Sequence, residues 1–502
     1  MASIKSLARD TAVYGASSIL GRFLNWCLVP LYTHVFPDRE YGVVTLIYTF
    51  VAILLIILTY GMETGFFRFT NHDRWRDPMQ VYTTALTALA VSSTGFIIIA
   101  VACSPVFAGW LQCPDHPSFV WMMAITVGLD AFTSLPFAYL RYRKQAIRFA
   151  ALKFIGIVIN IALNLFFIIL CPILHRHCPA AVDWFYRPDF GIGYIFLSNL
   201  IGSVIAAILL LPELTVARWR FSSRLLSEML AYSFPLLILG IAGNLNQTID
   251  KILLPLLLPD KSDAIAQVGI YGANYKIAIV MVMFIQAFRF AYEPFIFAQA
   301  REKGEDTARA YSDAMKYFVA FAMFIFLGVM LFLPLIRYFI APSYFSGLKV
   351  VPVVMIAELF FGIFFNLSVW YKISDRTIWG TRFSLLGLAV TVILNVLLVP
   401  RFGFMGCAWA AFSCYAVMTL ASWAVGRRVH PIDYDIRSLF VYFFAGIVLW
   451  VAGTFASSTP WEPLNWAIRT LFLALYLLFV IRREPSLRAS FSALTRKFLP
   501  RR

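Results

Sequence analysis

Residues 271–297, YGANYKIAIVMVMFIQAFRFAYEPFIF, form an apolar run that nonetheless carries Lys276, Arg289 and Glu293. A second run contains GNLNQTIDK at 243–251, where Asn244, Gln247, Thr248 and Lys251 recur at i, i+3, i+4 and i+7 and so share one helical face. A third, 11–34, holds Arg22 and Asn25. Charge at the centre of a membrane helix costs about 2.5–3.5 kcal/mol on insertion scales, so each cation needs a partner or a wet cavity. A cavity lined by cations and neutral amides suits an anionic group, and phosphate or pyrophosphate is the natural choice.

Each cation also has a purely structural reading. Lys251 directly follows Asp250 and could form a local ion pair, and Arg289 precedes Glu293 by four residues, the spacing of a helical salt bridge. Lys276 and Arg289 are thirteen residues apart, about 20 Å along and about 140° around an ideal helix, so they face one chamber only if that helix bends. Arg22 has no carboxylate three or four residues away and is the strongest candidate for a cavity cation. Among the acids, Asp130, Glu358 and Glu63 lie inside apolar runs, where they balance the cations or bind a coupling proton or sodium ion. Arg68 is the nearest expected partner for Glu63.

The elements that must position these residues follow from composition. With 502 residues, 61% hydrophobic and only 14% charged, the chain is too apolar for a soluble protein and reads as an all-α polytopic membrane protein. Fourteen runs are long enough to span: 11–34, 41–67, 81–103, 117–139, 150–171, 190–212, 228–258, 267–298, 314–340, 348–370, 379–399, 403–425, 438–456 and 464–481. The first is too long for the apolar core of a signal peptide and is read as retained. The connections leave no room for a soluble domain. The net charge of +16 raises nucleic acid as a partner, but Lys and Arg concentrate in alternate connections, as the positive-inside rule requires with both termini cytoplasmic. The charge is therefore topology, and no nucleic-acid partner is expected.

The tail after residue 483 places Leu487, Phe491, Leu494 and Phe498 at helical spacing among Arg488, Arg496 and Lys497, a basic amphipathic segment suited to the inner membrane surface. Seven scattered cysteines form no disulfide framework. The stretch CPILHRHC, 171–178, offers Cys171, His175, His177 and Cys178, but its spacing matches no common structural zinc site. Read beside a loop disulfide, it is best taken as a solvated loop, and no metal site is expected. DYD at 433–435 has no nucleotide-binding fold around it, and no glycine-rich Gly-Lys phosphate loop occurs, which excludes an ATP-driven pump within the chain.

An internal repeat organises the runs. A shift of 225 residues superposes Gly15 on Gly240, Leu20 on Leu245 and Pro30 on Pro255, and places Arg22 on Gln247. IALNLFFI, 161–168, matches VILNVLLV, 392–399, and each is followed by a Phe-Gly step that opens the next run. Asp130 and Glu358 then fall in corresponding helices. Six runs per repeat return the chain to the same side, so the halves are parallel repeats. The expected organisation is a first repeat at 1–212, a basic linker at 213–227, a second repeat at 228–425, two added spans at 426–482 and the tail at 483–502.

DTAVYGASSILGRFLNWCLVPLYTHVFPDREYGVVTLIYTF at 10–50 resembles the first two spans of the Wzx-type polysaccharide repeat-unit flippases of the MOP superfamily. NQTIDKILL at 246–254, VGIYGANYKIA at 268–278, FRFAYEPF at 288–295 and FGFMGCAWA at 402–410 are similar to that family too. The resemblance implies a V-shaped pair of six-helix bundles in the bacterial cytoplasmic membrane. It implies alternating access that carries a polyprenyl-pyrophosphate-linked oligosaccharide from the inner to the outer leaflet. Arg22, Lys276 and Arg289 would hold the pyrophosphate, with Lys251, Asn25, Asn244 and Gln247 beside them. A proton or sodium gradient or the membrane potential would drive the cycle without a cofactor. A polymerase and glycosyltransferases would be partners of a monomeric transporter. Within the superfamily, a multidrug/cation antiporter and a peptidoglycan lipid precursor flippase are the competing readings. Outside it stands a polytopic enzyme of polysaccharide assembly, which the short connections disfavour.

Overall fold

The structure is a computed structural model that describes residues 20–71, 74–75, 77–215, 219–260, 263–299, 305–374, 376–429, 431–485 and 488. Among them the chain is helical and contains no strand. That is the outcome lipid imposes on a chain this apolar, because a helix satisfies every backbone polar group within its own segment. Twelve of the described helices are long and apolar enough to cross a membrane. The count of fourteen is not confirmed. The run at 11–34 is described only from residue 20, and the run at 190–212 forms the 17-residue helix Gly193–Leu209, about 26 Å long against a hydrocarbon core of about 30 Å. The amphipathic tail lies almost wholly outside the described residues.

The chain divides into two compact units. Unit 1 comprises Met1–Lys276, Ile340–Gly347 and Ser384–Cys414. At its centre Pro117–Tyr142 packs against Pro78–Ala102, Gly193–Leu209 and Asp38–Thr59, and Ser223–Leu257 lies on Asp38–Thr59. Met62, Phe66, Tyr82, Leu86 and Leu135 form a solvent-free core between these helices. A left-handed step at Tyr60 and Gly61, φ 31° and 71°, breaks the second apolar run into Asp38–Thr59 and Met62–Thr70 and re-aims Glu63.

Glycine sets the position of the helix that carries Lys276. A Cβ on Gly42 would lie 2.0 Å from the Ile265 carbonyl oxygen, and one on Gly269 would lie 2.0 Å from that of Asp38. Asp38–Thr59 and the start of Ala264–Gln299 therefore meet backbone to backbone, the small-residue packing by which membrane helices approach most closely.

The repeated sequence elements adopt the same local structure. Asn164 and Asn395, matched in the repeat, are both fully buried, and each donates its Nδ2 at 2.8 Å to the carbonyl four residues earlier. The matched Phe-Gly steps both place glycine at positive φ, 48° at Gly191 and 55° at Gly403, just before a new helix. At CPILHRHC the solvated loop gives way to helix: Ala146–Leu165 runs on through a π-helical turn, Phe166–Leu170, into Cys171–His177. Apolar Phe167 and Cys171 are buried there and so extend the helix past the expected boundary, while His175 pairs with Asp183 at 2.6 Å. None of the seven cysteines, all among the described residues, is in a disulfide.

Unit 2 comprises Ile277–Phe339, Leu348–Phe383 and Tyr415–Arg502. Glu305–Leu331 packs against Val350–Leu367 and against the two last helices, Ile436–Ala456 and Glu462–Arg483. Lys316 bridges Asp313 at 3.0 Å and the buried Glu484 at 3.1 Å, and the Tyr442 hydroxyl donates to Glu484. This network ties the added C-terminal helices to Glu305–Leu331. Asp435 caps Ile436–Ala456 by accepting from the Ser438 amide at 3.0 Å.

Candidate functional site

Unit 1 brings two of the expected cations together. Lys251 lies near the end of Ser223–Leu257, where its Nζ sits 3.2 Å from Asp250 Oδ1 and donates to the Gln247 carbonyl at 3.2 Å. Both side chains are nearly shut off from solvent, 11% exposed for Lys251 and 6% for Asp250. Asp250 also accepts from the Tyr271 hydroxyl at 2.6 Å and from the Lys251 amide at 2.8 Å. The Lys251 ammonium stands 4.3 Å from the centre of the Tyr275 ring, a cation–π contact. Tyr271 and Tyr275 belong to Ala264–Gln299, and the next residue, half-buried Lys276, is near enough to Lys251 for the two ammonium groups to repel.

Arg22 reaches this neighbourhood through its helix. The Trp26 indole donates to the Lys276 carbonyl at 2.7 Å, and Arg22 stands one turn before Trp26 on the helical stretch 20–26. Arg22 and Asn25 are both exposed, and Arg22 forms no ion pair among the described residues. Gln247 is exposed as well, while Asn244 is half-buried and accepts from the Thr248 hydroxyl at 2.9 Å. The neighbouring Asn246 faces the other way, buried and donating to the Ser384 carbonyl at 2.9 Å. With Lys251 balanced by Asp250, Arg22 and Lys276 leave this part of unit 1 with an excess of two positive charges.

The acids settle differently. Glu63 pairs with Arg141, on Pro117–Tyr142, and not with Arg68, whose guanidinium lies 4.1 Å over the Tyr232 ring. The break at Gly61 turns Glu63 toward Arg141, which a reading by sequence distance misses. Asp130 is exposed and accepts from the Ser203 hydroxyl at 2.7 Å. Lys153, on Ala146–Leu165, feels Asp130, Glu63 and Arg141 and covers the Phe137 ring at 3.9 Å. Its signal in the sequence is the helical face Lys153, Ile157, Asn160, Asn164, which carries polar groups along an otherwise apolar helix. Among the described residues no three His, Cys, Asp or Glu side chains converge as a metal site.

In unit 2, Arg289 lies 4.4 Å over the Phe365 ring. The expected pairing with Glu293 lies outside the described residues, since that side chain is not among them. Glu358, 3% exposed, is buried on Val350–Leu367. Lys276 and Arg289, on one continuous helix, belong to different units. Lys372 also stands over Phe365, at 4.5 Å, and sequence reading passes over it because it falls just beyond an apolar run.

Known proteins agree with this architecture. The lipid II flippase MurJ in an inward closed conformation superposes with a TM-score of 0.69 at 12% identity, covering 94% of this chain and 99% of that one. A multidrug resistance MATE family transporter of the MOP superfamily in its inward-facing conformation gives 0.66 at 13% identity, covering 81% and 94%. The outward-facing conformation of such a transporter gives 0.56 at 13% identity, covering 85% and 94%. At these identities the likeness concerns the fold. No curated protein matches the chain. The description of the polysaccharide biosynthesis protein family matches residues 7–297, more than half of the sequence. The chain thus belongs to the polysaccharide biosynthesis protein family and carries the fold of the MOP-superfamily transporters.

Proposed function

We propose that this protein carries a polyprenyl-pyrophosphate-linked oligosaccharide from the inner to the outer leaflet by alternating access. The observation that supports it most is the excess of two positive charges, Arg22 and Lys276, beside the neutralised Lys251–Asp250 pair in membrane-spanning helices of unit 1. A pyrophosphate diester brings two negative charges, which such a site matches, and Asn25 and Gln247 offer exposed amides to the first sugars. The polyprenyl tail stays in lipid while the polar head crosses a wet chamber. A proton or sodium gradient or the membrane potential drives the cycle, with Asp130, Glu358 or Glu63 as the ion-responsive group. The transporter acts as a monomer, without a cofactor, beside a polymerase and glycosyltransferases in the cytoplasmic membrane, both termini inside.

In cells lacking the protein, lipid-linked oligosaccharide should accumulate in the inner leaflet, protected from an added membrane-impermeant glycosidase. Native protein should relieve that accumulation and Lys276→Gln should not. Unchanged leaflet distribution on deletion, with organic cations retained in the cell instead, would replace this reading by that of a cation antiporter.

A further inference from the structure

We infer that a cavity at one end of unit 2, built around Arg469, holds the phosphate of an anionic bilayer phospholipid. Four helices meet there: Glu305–Leu331 and Ile436–Ala456 end, and Val350–Leu367 and Glu462–Arg483 begin. Between them lies an open cavity of about 270 Å³, lined by Leu331, Pro334, Leu348 and Trp450 and by two cations, Arg337 and Arg469. An apolar cavity of about 150 Å³ already takes benzene, so this one has room for a phosphate group with the glycerol carbons attached to it.

Arg469 carries the assignment. It lies seven residues into Glu462–Arg483, about 10 Å from the start of that helix. Its Nε donates to the buried Ser457 hydroxyl at 3.1 Å, and its guanidinium lies 4.7 Å from the centre of the Trp466 ring. These contacts orient the guanidinium, yet its Nη1 is buried with no hydrogen-bond partner, and Arg469 forms no ion pair among the described residues. A guanidinium held in this way is a donor set without its acceptor, and a phosphate, which can take two of its N–H groups at once, completes it. The charge of Arg337 in the same lining adds to the preference for an anion.

The surroundings identify the source of that phosphate. Leu335, Tyr338, Val451 and Phe455 each adjoin a lining residue in sequence and are between 43% and 77% exposed. Large apolar side chains exposed around the ends of membrane spans face lipid, and Tyr338, Trp450, Trp461 and Trp466 mark the level of the headgroups. A basic pocket between spans at that level suits a lipid headgroup, whose acyl chains lie along the exposed apolar residues. The lipid thereby joins the added C-terminal helices to Glu305–Leu331 at the end opposite the Lys316–Glu484 bridge. This assignment does not depend on the transported substrate.

The full-length protein, stripped of lipid in detergent, is titrated with dioleoylphosphatidylglycerol, and bound lipid is counted by native mass spectrometry. The native protein should show one tight binding event that a large excess of inorganic phosphate does not displace. Arg469→Gln should weaken it about tenfold or more. Thr454→Phe, which adds a ring to the lining and leaves Arg469 and Ser457 in place, should weaken it as well. If Arg469→Gln does not elute as folded protein, Thr454→Phe decides by the same criterion. Undiminished binding in the folded variants, or no tight event in the native protein, overturns the assignment. Displacement by inorganic phosphate overturns the lipid as its source and leaves a site for a free anion.

Discussion

Removing the Lys251 ammonium should cost about 3 kcal/mol of stability, because its first role is to neutralise Asp250. Lys251 Nζ and Asp250 Oδ1 are 3.2 Å apart in a nearly solvent-free setting. At an effective dielectric constant near 20 the gross attraction is about 5 kcal/mol. In Lys251→Ala the carboxylate stays buried and loses that partner, a situation that costs about 3–5 kcal/mol. Two donors remain, the Tyr271 hydroxyl at 2.6 Å and the backbone amide at 2.8 Å, which holds the loss to the lower end, about 3 kcal/mol. Asp250→Asn removes the charge but keeps an acceptor, and in the double variant much of the loss should return, a coupling of about 2 kcal/mol. Reversible unfolding of the four proteins by SDS in mixed micelles measures this cycle. If Lys251→Ala unfolds within about 0.5 kcal/mol of native yet abolishes transport, the ammonium serves the chamber and the structural assignment is wrong.

Other expectations follow from the same geometry. Gly269→Ala puts a Cβ 2.0 Å from the Asp38 carbonyl and must force two helices apart, so yield of monodisperse protein should drop severalfold, while Gly95→Ala, with open space around it, should express normally. Glu63→Ala removes the carboxylate partner of Arg141 in a partly exposed pair and should destabilise by about 1 kcal/mol, whereas Arg68→Ala, which loses only a ring contact, should cost about 0.5 kcal/mol, compared by the same SDS titration. Asp435→Ala should lose about 1 kcal/mol of helix capping, and Asp435→Asn only a few tenths. The hydrogen bond from Ser438 holds the Asp435 carboxyl below its ordinary 3.8, with Lys316 and Arg483 adding to it. A lowered value stabilises the fold above pH 3.8 and loses that contribution as pH falls through it, so the native and Asp435→Asn proteins should converge in stability below that pH.

The sequence carried the lipid-dictated part of the fold plainly, because a membrane span is announced by length and apolarity alone. The repeat was legible for a related reason: Asn164 and Asn395 need a buried carbonyl to bond, and Gly191 and Gly403 supply a backbone turn that other residues resist. What stayed hidden depends on packing. Helical periodicity put Lys251 on a polar face with Asn244 and Gln247, but the adjacent Asp250 and the tyrosines of another helix enclose it. Arg68 was the nearer partner for Glu63 along the chain, yet the left-handed step at Gly61 gave the carboxylate to Arg141. Lys153 and Lys372 escaped because each lies near the end of an apolar run, where a long cationic side chain ordinarily reaches the interface. Asp130 is brought to Lys153 only by the tertiary fold, whereas Phe365 stands seven residues before Lys372 along one helical stretch.

The central claim is that the chamber cations receive the anionic head of a lipid-linked glycan. Its most direct test is leaflet transfer of a fluorescent polyprenyl-pyrophosphate oligosaccharide in proteoliposomes, under proton, sodium and voltage gradients in turn. The native protein should transfer the lipid under at least one of them, and Arg22→Gln and Lys276→Gln, eluting as folded protein, should each slow transfer at least tenfold. Transfer by both variants at the native rate, or none by the native protein under any gradient, would contradict the account.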